Sequence, residues 1–232
     1  MMKSDIKDKV LIGIDEAGRG PLAGPVSVGV FVVKSHNILK IFKGVKDSKQ
    51  LSEKQREEWF GRIKWMAQKG YIDYLQSNNP QISFTWQVAY TVSFSSVKVI
   101  DQKGLSYAIR SAINRCLRRL ERDGFITTDA KVMLDGSLKG PERFKDQKTI
   151  IDGDAKEPII ALASICAKVV RDRYMKRIAK HFPEYGFEIH KGYGTKKHYN
   201  ALNNIGLCEI HRRSFLRTWT KGQKMGRIKK SS

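Results

Sequence analysis

The sequence predicts an α/β fold, and three observations carry the prediction. Apolar, β-branched runs at residues 10–14 (VLIGI), 26–33 (VSVGVFVV), 131–134 (KVML) and 149–151 (TII) read as buried strands. Longer stretches with apolar residues at helical spacing lie between and after them. Three of these strands are followed at once by a carboxylate, a pattern that would gather acids at one edge of a sheet. With 232 residues, 41% of them hydrophobic, the chain can bury one sizeable core, so a single domain is expected over residues 1–220. The last residues, KGQKMGRIKKSS, hold five basic side chains and no acidic one and read as a mobile tail over 221–232.

Taken in order, VLIGI and VSVGVFVV are neighbouring strands joined by a Gly/Pro-rich turn. Ser52 and Gln55 form a capping box for a helix whose apolar face is Trp59, Phe60, Ile63, Met66 and Ala67. Residues 71–75 and 92–100 read as further strands, and the stretch from Gln76 to Val92 receives no role. The clearest helix spans residues 104–122, where Leu105, Ala108, Ile109, Ala112, Ile113, Cys116, Leu117 and Leu120 recur at helical spacing. Its other face carries Arg110, Arg115, Arg118, Arg119 and Arg122, either as a solvated surface or as phosphate contacts. A strand at 131–134 delivers Asp135, and one at 149–151 delivers Asp152 and Asp154. A long helix follows from Ile159 to Ala179, and Thr195 and Gly206 bracket a short last one.

Composition narrows the partners. The chain carries 44 Lys+Arg against 23 Asp+Glu, a formal charge of +21, which points to a polyanion and to nucleic acid ahead of a membrane. No apolar run is long enough to span a bilayer and the N-terminus lacks a signal-peptide core, so a cytoplasmic location is expected. Cys116, Cys166 and Cys208 are widely separated and read as reduced thiols.

Against that basic background, Asp15, Glu16, Asp135 and Asp154 stand out because each follows an apolar strand. Carboxylates packed together raise one another's pKa unless a multivalent cation offsets their charge. Hard oxygen donors suit magnesium or manganese, and a basic protein around them suggests phosphodiester chemistry. The alternatives are weaker. Gly18, Gly20 and Gly24 miss the spacing of a dinucleotide-binding loop, and Cys208, His211, His190 and His198 lack the close ligand pairs of a zinc site.

Six motifs in one order, "GIDEAGRGPLAGPV", "DSKQLSEKQRE", "VMLDG", "ALASICAKVVRDR", "HKGYGT" and "HRRSF", resemble the type 2 ribonucleases H, the ribonuclease HII family, over nearly the whole chain. The resemblance implies a ribonuclease H-like fold, a mixed sheet with helices on both faces and a helical C-terminal portion. It implies an endonuclease that cuts the RNA strand of RNA/DNA hybrids and nicks duplex DNA on the 5′ side of embedded ribonucleotides, leaving 3′-hydroxyl and 5′-phosphate ends. Asp15, Glu16, Asp135 and Asp154 would form the catalytic metal site, holding two Mg2+ or Mn2+ ions, with Asp15 bridging them.

By the same resemblance, Gly18, Arg19 and Gly20 would bond the substrate 2′-hydroxyl, and Tyr193 would pack on the sugar at the DNA side of the junction. Lys49, Arg212 and Arg213 would contact phosphates. The family's bacterial members usually place lysine before the "GD" of the fourth acid, whereas this chain has Asp152, which leaves Asp152 and Asp172 as alternatives to Asp154. The type 3 enzymes lack the Gly-Arg-Gly turn and carry an extra N-terminal domain, for which no room is expected before residue 13. The last twelve residues contain no aromatic pair of the kind that docks on a sliding clamp, and no protein partner is implied.

Overall fold

The computed structural model describes residues 9–45, 47–76 and 87–219, with residues 69–76 described by their backbone alone. The tail expected at 221–232 lies outside the described residues. Five strands, β1 (Leu11–Ala17), β2 (Val26–Val33), β3 (Val88–Ser95), β4 (Lys131–Asp135) and β5 (Gln147–Ile150), form one sheet in the order β3-β2-β1-β4-β5. β1 pairs antiparallel with β2 and parallel with β4, so the sheet is mixed and its parallel half starts at β1. The helices are α1 (Glu53–Gln76), α2 (Val97–Lys103), α3 (Leu105–Arg122), α4 (Gly153–Lys156), α5 (Pro158–Ala179), α6 (Phe187–His190) and α7 (Lys196–Ile205).

Strand alternation sorts the core into two layers. Ile12, Ile14, Val28, Val132 and Leu134 point to one face, where Ala108, Ile113 and Leu117 of α3 cover them. Leu11, Phe31 and Met133 point to the other, against Phe60 and Ile63 of α1 and Ile160 and Ile165 of α5. Each such side chain removed from water contributes about 1.5–3 kcal/mol. A third cluster, with Leu22, Met175, Phe187, Leu202 and Leu216, ties the C-terminal helices to the far end of α5. The α5 backbone lies close on the sheet because two strand positions lack side chains. A Cβ on Gly13 would stand 2.1 Å from the Ile159 carbonyl oxygen, and one on Gly29 2.3 Å from that of Ala163.

Several local expectations agree with these elements. Ser52 Oγ accepts from Gln55 N at 3.2 Å while Gln55 Oε1 accepts from Ser52 N at 2.9 Å, the reciprocal capping box at the start of α1. Thr195 caps α7, which ends at Gly206. Of the five arginines on α3, Arg115 bonds Phe94 O at 2.7 Å and Arg119 bonds Thr91 Oγ1 at 3.1 Å, so these two fasten the helix to the edge strand β3.

Three strand expectations need correction. Residues 71–75 continue α1, because the helix nucleated at the capping box meets no breaker strong enough at Gly70 to stop it. The apolar run at 92–100 divides at Ser96: β3 ends at Ser95, and the Ser96 hydroxyl accepts from Val99 N to start α2. β5 ends at Ile150, so Asp152 and Asp154 do not share a strand; Asp152 takes a left-handed conformation, φ 54°, and turns the chain into α4. Of the blank stretch, residues 77–86 lie outside the described residues and 88–92 belong to β3.

Candidate active site

Asp15 and Asp135 lie one residue beyond the paired Ile14 and Leu134, on neighbouring parallel strands. By alternation both carboxyl groups project to the α5 face. The left-handed turn at Asp152 then brings Asp154 in from α4, leaving Asp152 exposed and Asp154 4% exposed. Asp135 Oδ1 fixes that turn by accepting from Gly153 N at 2.7 Å and Asp154 N at 3.3 Å. One carboxylate oxygen each from Asp15, Asp135 and Asp154 lies within 4.8 Å of the others. Asp172 instead pairs with Lys168 at 2.9 Å, away from this group.

At that separation two ionised carboxylates repel by roughly 3–4 kcal/mol at an effective dielectric constant of about 20. Burial pushes the Asp15 carboxyl well above the ordinary range, with Glu16 and then Asp135 adding to the rise. Glu16 is likewise raised by burial, opposed by Arg19, whose Nη1 donates to Oε1 at 3.0 Å. Its other oxygen, Oε2, is buried with no hydrogen-bond partner. Lys49 supplies the nearest cation, with its Nζ 2.9 Å from Asp154 Oδ2 and its pKa raised by that bond. Three converging carboxylates, with Asp15 and Glu16 pushed up by burial and one buried Glu16 oxygen left over, fit a hard divalent cation.

Beside the acids, the chain turns through Gly18, Arg19 and Gly20. The Tyr193 ring flanks this turn: its Cε1 lies 4.0 Å from where a Gly20 Cβ would stand. Lys168 Nζ and Arg171 Cζ sit 5.7 and 5.8 Å from the ring centroid. The Tyr193 loop is sewn to the turn's exit, with Leu22 N and Ala23 N donating to Gly192 O at 2.8 and 3.3 Å. Arg19 also lines a cavity of about 240 Å³, with Ser106, Arg110, Ser137 and Lys139 among others. Arg19 thus joins the acids, through its bond to Glu16, to the basic lining of this cavity.

Comparison with known sequences decides what this arrangement belongs to. The family model described as Ribonuclease HII matches residues 12–218. The chain belongs to the ribonuclease HII family. It is 40% identical to "Ribonuclease HII" of Caldicellulosiruptor bescii over 90% of this chain and 87% of that protein, and 40% identical to "Ribonuclease HII" of Fusobacterium nucleatum over 92% and 88%. Among solved structures it is similar to the ribonuclease H2 of Pyrococcus horikoshii, with a TM-score of 0.60, 27% identity, and coverage of 90% of this chain and 96% of that one. The fold is ribonuclease H-like, and the protein is a metal-dependent endoribonuclease of that class.

Among ribonuclease HII positions expected to meet phosphate, Lys49 and Arg213 have exposed side chains, while Arg212 does not fit the expectation. It is 0% exposed, and its guanidinium is spent on protein carbonyls rather than offered to solvent. The histidines also have structural partners. His198 Nδ1 donates to Tyr193 O at 2.9 Å, leaving its Nε2 to accept from His211 Nε2 at 3.0 Å. His211 Nδ1 then accepts from Cys208 N at 3.0 Å, and burial together with His198 pushes the His211 pKa down to about 4. This neutral chain spends on hydrogen bonds the ring nitrogens that a zinc ion would need. Two residues near the acids escaped the sequence reading. Ser164 of α5 stands where it lowers the Asp15 pKa against the rise from burial, with its Oγ 2.7 Å from Ser48 Oγ, and Asp47, within the quoted "DSKQL", is raised first by burial and then by the nearby Asp154.

Proposed function

We propose that this protein hydrolyses the phosphodiester on the 5′ side of a ribonucleotide, in RNA/DNA hybrids and at single ribonucleotides embedded in duplex DNA. The observation that carries this reading is the convergence of the Asp15, Asp135 and Asp154 carboxylates beside the Gly18–Gly20 turn and the Tyr193 ring. Attack of water on phosphorus, with cleavage of the bond to the upstream O3′, leaves a 3′-hydroxyl and a 5′-phosphate. Asp15, Glu16, Asp135 and Asp154 would hold two Mg2+ or Mn2+ ions. Bound there, such cations supply activation of water and stabilisation of charge on the leaving oxygen.

The protein's own groups do the remaining work. Asp135 holds the Gly153 and Asp154 amides and so fixes the third carboxylate in place. Lys49 pairs with Asp154 at 2.9 Å and would meet phosphate beside the acids. The turn offers backbone to the 2′-hydroxyl, which serves recognition because water, not that hydroxyl, is the nucleophile. Arg19, Arg110 and Lys139 line one cavity with positive charge and Arg213 is exposed; contacts from them to backbone phosphates would fix register without reading sequence. No described helix is long and apolar enough to cross a membrane, and we place the protein in the cytoplasm, in the repair of ribonucleotides in DNA.

Incubation with duplex DNA carrying one ribonucleotide, beside an RNA/DNA hybrid and an all-DNA duplex, tests the whole reading. Both ribonucleotide-containing substrates should be cut in magnesium or manganese and left intact in EDTA. Cutting of the all-DNA duplex, or cutting in EDTA, would overturn it. Tyr193→Ala should slow cutting at a single ribonucleotide about tenfold or more, as expected when a reacting group is misplaced by a fraction of an ångström, while duplex affinity changes less than about threefold. Equal losses in rate and affinity would count against packing of Tyr193 on the junction sugar.

A further inference from the structure

Two arginines lie wholly inside the protein beneath the Gly18–Gly20 turn, and neither has a carboxylate within ion-pair distance among the described residues. Arg212 donates from Nη2 to Gly18 O at 2.7 Å, from Nη1 to Arg19 O at 2.9 Å and from Nε to Gly24 O at 2.9 Å. Arg171, from α5, donates from Nε to Pro25 O at 2.9 Å and from Nη2 to Ala23 O at 3.3 Å. Between Gly18 and Pro25 five carbonyl oxygens therefore point inward onto two guanidinium groups. Leu22 O is held by Arg212 N at 2.8 Å, which adds a sixth.

Burying two like charges together is costly. Burial and the neighbouring Arg171 push the Arg212 pKa down to about 9, and burial lowers that of Arg171. Carbonyl dipoles are the compensation provided, and their alignment has a geometric consequence. A peptide whose C=O points into the protein turns its N–H outward. Among the described residues the N–H groups of Arg19 and Gly20 have no hydrogen-bond partner, although they border the acids and the Tyr193 ring.

We propose that Arg212 is a positioning residue for ribose recognition: its planar fork pins the Gly18, Arg19 and Gly24 carbonyls so that the turn presents its amides to the 2′-hydroxyl. The inference rests on the reading of this turn as the hydroxyl's recognition element, and adds the group that sets the turn's shape. Arg212 touches no substrate. The fork is needed because an ammonium is a point charge and cannot span three carbonyls in one plane. That separates this role from the phosphate contact expected at position 212, which lysine would serve almost as well.

The test compares wild type with Arg212→Lys for binding, in calcium, to an all-DNA duplex and to the same duplex with one ribonucleotide, with single-turnover cutting in magnesium alongside. Wild type should prefer the ribonucleotide duplex. Arg212→Lys should bring the affinity ratio to within about twofold of one and slow cutting about tenfold or more, the effect of roughly 1.4 kcal/mol. Its affinity for all-DNA duplex and the salt dependence of that affinity should be unchanged. A variant that keeps the wild-type preference overturns the positioning role. So does one that weakens both duplexes alike, or an Arg212→Gln protein whose salt slope falls by about 1, the mark of a lost phosphate contact. A wild-type protein that binds both duplexes alike overturns the reading of the turn, and the proposal with it. If the variants do not fold, the Arg212 Nε–H resonance of the wild type decides: it should stay protected and unshifted as all-DNA duplex is added. A shift that tracks saturation and reverses with salt overturns the proposal.

Discussion

Asp15→Asn should reduce cleavage about 10³-fold or more and at the same time raise the melting temperature of the protein in EDTA. The two effects have one cause. Asp15 is 3% exposed, and its carboxyl shares a site of under 4.8 Å with Asp135 and Asp154 while Glu16 crowds it from the next position. An amide keeps the shape and removes one buried charge. The relief should show as a higher melting temperature, at about 2–4 °C per kcal/mol for a chain of this size. Function needs that charge, because a site with one carboxylate fewer holds a divalent cation less tightly. Wild type should melt higher as magnesium or manganese is added, by an amount that grows with the logarithm of concentration above the dissociation constant. Asp15→Asn should lose most of that dependence while still binding duplex. Thermal melts in EDTA and in a metal titration, beside a cleavage assay, measure all three. Retained cutting, or a variant less stable than wild type in EDTA, would remove Asp15 from the centre of the site.

The sequence shows the ingredients of this site more clearly than it shows how they meet. The apolar runs before Asp15 and Asp135 predict two strands, and β1 and β4 do lie side by side, because parallel pairing in register puts both acids at one level. Asp154 is different. Its distance from Asp152 suggests a shared strand face, yet β5 ends at Ile150, and the left-handed Asp152 redirects the chain so that the third acid arrives from α4. A conformation rare for any residue other than glycine, asparagine or aspartate leaves little trace in a pattern of polar and apolar positions.

Burial of arginine is equally hard to read from sequence. Arg212 and Arg213 stand side by side in "HRRSF", and charge alone makes both surface candidates. One is enclosed by the carbonyls of residues 18, 19 and 24, and the other remains exposed. What separates them is a long-range closure: Ala23 bridges to His211, and Arg212 N bonds Leu22 O, bringing the chain's C-terminal part back to its first turn. The run at 92–100 failed for a local reason, since Val97, Val99 and Ile100 look like strand residues until Ser96 is recognised as a cap.

Gly18→Ala and Gly20→Ala should separate the turn's structural demand from its recognition demand. Gly18 adopts φ +91°, where an L side chain is strained, and a Cβ there would stand 2.1 Å from Arg171 Nε and 2.6 Å from Arg171 Cδ. Arg171 cannot swing aside without giving up its bonds to Pro25 O and Ala23 O. The substitution should therefore cost about 1–3 kcal/mol of stability and misplace the amides by enough to slow cutting at a ribonucleotide about 10²-fold. Gly20 lies outside the left-handed region, and the nearest atom to its added Cβ is Tyr193 Cε1 at 4.0 Å. Gly20→Ala should melt with wild type. Its methyl group would instead stand beside the Tyr193 ring, where substrate is expected, so its loss should appear in cutting and in preference for the ribonucleotide duplex alone. Melting curves and single-turnover rates on both variants measure the contrast. A Gly18→Ala protein as stable and as active as wild type would show that Arg171 and the turn are looser than the geometry requires. A Gly20→Ala protein with full activity would place the ribose elsewhere.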